Sequence, residues 1–221
     1  MKVHSRSFAD GAAIPVRFAF GKIDKASHVA LADNYNPQLG WEDFPAQTRS
    51  FAVVCHDGDV PSEPDDVNQE GREIPASLPR VDFYHWVLID LPASVTSIAE
   101  GEHSRQVTPK GKSGPETRQG ARHAINDYTQ WFATDHDMRG DYYGYDGPCP
   151  PWNDSIVHHY VFTVYALDVD RLPVEGRFDG RQALETIGSH TLAKASITGL
   201  YSLNPRVAAG VDAPSAAGSH A

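Results

Sequence analysis

Basic residues are the scarcer charge in this sequence, and they nowhere gather. Lys and Arg number 19 against 29 Asp and Glu, a formal charge of -10, and no run of four basic residues occurs. A surface of that sign repels phosphate backbones and anionic headgroups at long range. Nucleic acid is thereby excluded as a partner, and no polybasic segment offers an electrostatic membrane anchor. Long apolar runs are missing as well, so no integral membrane segment is expected. Residues Met1 to Arg6 lead into a polar stretch without the apolar core of a secretion signal, which makes the cytoplasm the expected compartment. Cysteine is rare: Cys55 and Cys149 are the two in the chain, too few for a disulfide framework. Cys55 sits in an apolar run and reads as a buried, inert thiol. Cys149 lies between prolines, where its reactivity is open. There is no Gly-x-Ser-x-Gly elbow, no phosphate-binding loop and no His-Glu-x-x-His pair. No cofactor is expected.

What is present reads as β structure. A chain of 221 residues suits one large β domain able to bury a core without staples. Ser50 to Cys55 is an apolar run closed by the turn-like His56-Asp57-Gly58-Asp59. Phe83 to Leu91 and His158 to Leu167 are rich in aromatic and β-branched residues and apolar on both faces, which predicts central strands with cover on each side. A weaker strand spans Ala195 to Tyr201. Asp179 followed by Gln182 gives a capping box ahead of a helix that aligns Leu184, Ile187 and Thr191. Strands followed by a late helix predict a mostly β, sandwich-like single domain over 1–204 with peripheral helices. The stretch 101–153 is polar and broken by prolines yet carries six aromatic residues between Tyr128 and Tyr145. It predicts an ordered loop folded over one end of the sandwich. The Ala, Gly, Pro and Ser-rich remainder, 205–221, is expected to be a flexible tail.

Strand alternation places His158 and Tyr160 on one face, and puts His85 on a face with Val87 and Ile89. If the Asp57 strand runs antiparallel to these two, Asp57, His85, His158 and Tyr160 collect at one end of the sheet. Such a cluster, with backbone N–H groups of Gly144 and Gly147 added, forms a cradle for an anion. Asp57 would raise the pKa of both histidines and keep them charged. Pro148, Pro150 and Pro151 would stiffen the wall and lower the entropy lost on binding. Each group also has a purely structural role open to it: a hydrogen-bonded strand histidine, an Asp-Gly turn, a core tyrosine, a rigid connector.

Four segments resemble the phosphatidylethanolamine-binding protein family, also called Raf-kinase-inhibitor-like, in its bacterial branch. They are Asn36-Pro37-Gln38-Leu39-Gly40-Trp41, Asp57-Gly58-Asp59-Val60-Pro61, His85-Trp86-Val87-Leu88-Ile89, and Gly147-Pro148-Cys149-Pro150-Pro151 followed by His158 to Leu167. The ending His190-Thr191-Leu192-Ala193, then Gly199-Leu200-Tyr201, continues the likeness in the same order. The resemblance implies two packed antiparallel sheets with Greek-key connections and a C-terminal helix. It also implies a small cavity holding phosphate, acetate or a phosphorylated headgroup. Carried over by position, the lining is Asp57, Pro61, His85, Pro151, His158 and Tyr160, with Gly147 and Pro148 in the wall. Some members have a cis peptide before the histidine strand, here near Val81-Asp82. Gly58 stands where the family has proline, Asn36-Pro37 lacks its serine, and Trp152-Asn153-Asp154-Ser155 replaces a Gly-rich approach to His158.

The residues favour a module that binds a small anion (phosphate, carboxylate or phosphorylated headgroup). The alternative is a hydrolase working by acid/base transfer between Asp57 and His85 or His158, or a metal enzyme holding its ion with Asp57, Asp59, His85 and His158. The resemblance further admits regulation of a kinase or protease through a protein surface, with no target specified, and a homodimer.

Overall fold

The computed structural model describes residues 1–211. Strands β1 (Lys2–His4), β2 (Gly21–Asp24), β3 (His28–Leu31) and β4 (Leu39–Glu42) precede two long ones, β5 (Ser50–Pro61) and β6 (Arg80–Pro92). The short β7 (Ser97–Ile98) and β8 (Arg122–His123) follow, then β9 (His158–Leu167) and β10 (Thr191–Tyr201). The helices are α1 (Tyr128–Trp131), α2 (Gly180–His190) and α3 (Pro205–Val211).

Five strands form the main antiparallel sheet in the order β10-β9-β5-β6-β8. Within it β9 returns to lie beside β5, outside the β5-β6-β8 run, which is the Greek-key order. A second sheet, β1-β4-β7, faces it. Between the two lie Leu39, Trp41 and Ile98 from the small sheet and Phe51, Trp86, Leu88 and Phe162 from the large one, all buried. The opposite face of the large sheet is covered by α2, whose Ala183 and Ile187 pack against Ala52, Val54, Val87 and Ile89. The two-sided apolar runs of β6 and β9 are explained by this cover on both faces. Helix α2 starts where its cap predicts: the Asp179 carboxylate accepts from the Gln182 N–H, and the Gln182 side chain accepts from the Asp179 N–H.

Three local expectations are corrected. Asp57-Gly58-Asp59-Val60-Pro61 does not turn; β5 runs through to Pro61, with a bulge between Asp57 and Val60. The Val81–Asp82 peptide is trans, and among the described residues Gly114–Pro115 is the one cis bond. Residues 205–211, expected to begin the flexible tail, form α3, and the rest of that tail lies outside the described residues.

Candidate functional site

The expectation that His85 shares a face with Val87 and Ile89 fails, for a single reason. Opposite β5, Cys55 pairs with Trp86 and His56 with Tyr84, which leaves His85 as an extra residue in a bulge. A bulge re-aims the side chain it carries. Val87 and Ile89 face α2, whereas the His85 ring meets Tyr160 at 5.1 Å and Tyr128 at 5.6 Å on the other side. The antiparallel pairing of β5 with both neighbours does hold, and sets Asp57 opposite Tyr160 and Phe83.

These residues floor a cavity of about 300 Å³. Of the residues predicted to line it, Asp57, Pro61, His85, Pro151 and Tyr160 do so; His158, Gly147 and Pro148 do not. His158 is fully buried behind Asp57, with Nδ1 2.7 Å from Asp57 Oδ2 and Nε2 3.1 Å from Asp154 Oδ2. Arg80 closes the row, donating from Nη1 and Nη2 to Asp154 at 2.6 and 3.1 Å. Gly147 gives its N–H to Asn34 Oδ1, 2.8 Å away, and so has none to offer an anion. Pro148 spends its carbonyl on the N–H groups of Phe20 and Gly21. Gly144 borders a separate polar cleft.

Electrostatics divide the two histidines that were expected to behave alike. Burial opposes charge on His158, but hydrogen bonds to Asp154 and Asp57 outweigh it and lift the imidazole to about 9. It is therefore an imidazolium donating from both nitrogens. Burial likewise pushes Asp57 up, and the His158 hydrogen bond and charge overcome it, so Asp57 stays ionised below its ordinary value. His85 has no such partner: burial drives it down to about 4 against the pull of Asp57. Its Nδ1 lies 2.8 Å from the Asp146 carbonyl oxygen, which assigns the hydrogen to Nδ1 and leaves Nε2 as a bare acceptor. Tyr160 has its hydroxyl buried without a hydrogen-bond partner of normal geometry, and burial together with the Asp57 charge keeps the phenol protonated. Cys149 also lines the cavity, with its thiol pushed by burial up to about 12.

Sequence reasoning missed Asp154 and Arg80, which make the His158–Asp57 pair possible, and the aromatic wall. Phe20, Phe83, Tyr128, Trp131 and Phe132 all line the cavity. The signal for three of them was the aromatic content of 101–153, read only as packing over one end. Asp146 was also missed. Its buried carboxylate accepts from Lys112 Nζ at 2.6 Å, Asn34 at 2.8 Å and Asn126 at 2.9 Å while its carbonyl orients His85.

A Greek-key β-sandwich with a polar pocket floor at the start of β9 can now be set beside known proteins. The sequence profile described as Phosphatidylethanolamine-binding protein matches residues 4–202. The chain belongs to the phosphatidylethanolamine-binding protein family. UPF0098 protein YbhB of Escherichia coli (strain K12) is 31% identical over 202 residues, covering 91% of this chain and 100% of YbhB. UPF0098 protein YbcL of the same organism is 28% identical over 170 residues, 77% of this chain and 73% of YbcL. The crystal structure of E. coli YbcL, described as a member of the mammalian family, superposes with a TM-score of 0.61 over 91% of this chain and 97% of YbcL at 24% identity. The Chlamydia trachomatis homologue CT736 gives 0.60 over 90% and 95%, also at 24% identity. At that identity the two structures establish the fold. Among the described residues no helix is long and apolar enough to cross a membrane.

The geometry does not assemble the metal set considered from the sequence. Asp59 turns to His159, accepting from its backbone N–H and lying 2.8 Å from its Nδ1. His158 has both nitrogens engaged by carboxylates. No group of three or more His, Cys, Asp or Glu among the described residues is arranged to hold a metal ion.

Proposed function

We propose that this family member is a ligand-binding protein rather than a catalyst, and that Asp57, His85 and Tyr160 seat the acidic head of a small ligand, a carboxylate or phosphorylated group, together with one proton. The observation that carries this reading is the complement of donors and acceptors on the cavity floor. Asp57 is an ionised acceptor fixed by His158, His85 offers a lone pair, and Tyr160 has a buried hydroxyl that leans on Asp57 without a well-formed hydrogen bond and is free to turn to a ligand. An oxygen acid that keeps one hydrogen answers all three. Its O–H donates to His85 or Asp57, and its other oxygen accepts from Tyr160. A fully deprotonated anion beside Asp57 is repelled, so binding draws a proton from solvent. Support for a non-catalytic role comes from the groups themselves: the thiol and phenol in the cavity are held protonated, and His158 has no free nitrogen for proton transfer.

Calorimetric titration of acetate, phosphate and phosphorylethanolamine, repeated in buffers of different ionisation enthalpy, tests the proposal. Uptake of about one proton is expected for acetate and for phosphorylethanolamine, whose acid groups are deprotonated above about pH 6, but not for phosphate, which keeps a hydrogen of its own. Affinity should fall roughly tenfold per pH unit between the pKa of the free acid and that of the complex, and level off above the latter. Binding should be lost in His85→Gln and strongly weakened in Tyr160→Phe. Affinity independent of pH, or retained in both variants, would sink the reading.

A further inference from the structure

The cavity is larger and more apolar than an acidic head alone requires. Above the three polar groups of its floor, no lining residue is a lysine or arginine, and the walls are rings. Those rings are ordered. Phe20 stacks on Tyr128 with centroids 4.5 Å apart and 16° between planes, and Tyr128 stacks in turn on Phe132 at 5.6 Å and 17°. Phe83 meets Tyr128 edge-on at 5.2 Å and 81°. The Tyr128 hydroxyl is consumed by the Gly147 carbonyl at 2.8 Å, so this residue presents only its ring. The wall climbs from His85, whose ring meets Tyr128 edge-on, to Trp131, which is 48% exposed at the rim. Val60, Pro64 and Val67 complete the apolar lining together with Leu31.

From this arrangement, and resting on the acid-seat reading above, we infer that the ligand is an aryl-substituted acid: one acidic head on the floor and an aromatic body along the Tyr128–Phe132–Trp131 wall. Aromatic groups prefer offset-stacked and edge-on neighbours, and both faces and edges are on offer here. A bare phosphate or acetate would leave this apolar lining in contact with water, whereas an aryl body removes it. An aromatic ammonium suits the rings and Asp57 equally well. It can also donate to the Tyr160 oxygen while that hydroxyl leans on Asp57, so the ammonium is the competitor that the test below sets against the acid. The acidic head rests on the seat proposed above, and the wall selects the aryl acid over the small one.

The test compares acetate, 3-phenylpropionate and 2-phenylethylammonium by chemical-shift titration of the wild type, Trp131→Ala and Phe132→Ala. In the wild type, 3-phenylpropionate should bind at least about tenfold tighter than acetate, the discrimination an apolar pocket achieves for added hydrocarbon. That advantage should shrink in both variants. Equal affinities for the two acids in the wild type, an advantage untouched by both substitutions, or tighter binding of the ammonium would each overturn the aryl-acid inference while leaving a binding floor intact. Failure of both acids to bind the wild type overturns the acid seat itself and this inference with it.

Discussion

Replacing Asp154 with Asn should expose how the pocket keeps Asp57 ionised. Arg80, Asp154, His158 and Asp57 form a row of alternating charge. The side chains of Asp154, His158 and Asp57 are within 1% of full burial, and that of Arg80 is 12% exposed. At that burial the cost of breaking one link is not the fraction of a kcal/mol typical of surface pairs but about 3–5 kcal/mol, because a charge is left buried without its partner. The pH dependence supplies an independent magnitude. The rise of His158 from 6.5 to about 9 amounts to roughly 3 kcal/mol at 1.36 kcal/mol per pH unit. A group whose pKa is raised in the fold stabilises fully below its unfolded value, and here that contribution drains away as pH climbs from 6.5 to about 9. Asp154→Asn removes one of the two carboxylates responsible. The variant should therefore be less stable at neutral pH, by roughly 6–20 °C in melting temperature for a domain of this size. It should also lose less stability than the wild type across the same alkaline window. Urea unfolding of both proteins through that window measures the difference, and groups titrating elsewhere cancel in the comparison. Parallel profiles would refute the assignment of the raised imidazolium to this row.

Cys149 should resist thiol reagents at mildly alkaline pH while the protein stays folded, because burial holds its pKa at about 12; rapid labelling by a disulfide reagent, followed by absorbance, would show an accessible thiolate instead. Asp179→Ala should cost about 1 kcal/mol in chemical denaturation by removing the carboxylate that accepts from Gln182 N–H.

The parts of the fold legible in the sequence were those fixed by neighbours along the chain. The Asp179–Gln182 box needs only a three-residue spacing, and the strand cores of β6 and β9 need only their own apolar residues. The order of Asp57, His85 and His158 likewise placed the floor at one end of the sheet. What escaped depended on partners distant in sequence. His85 changes face because β6 carries one residue more than β5 at that point, which a single strand does not reveal. Equal treatment of His85 and His158 failed because Asp154, itself held by Arg80, reaches only the second. The N–H of Gly147 looked free until Asn34, far upstream, took it. The aromatic residues of 101–153 were visible as types, but their stacking against Phe20 and Phe83 is a property of the closed chain.

Asp146 does not line the cavity, yet it touches the residue on whose proton the cavity floor depends. Its carbonyl dictates which nitrogen of His85 carries hydrogen, and its carboxylate is the anchor for Lys112, a residue that lines the separate polar cleft. Whatever pulls on Lys112 from that cleft acts on the peptide unit that sets the His85 tautomer. The 101–153 segment is thereby coupled to the His85 tautomer through a residue that does not line the cavity.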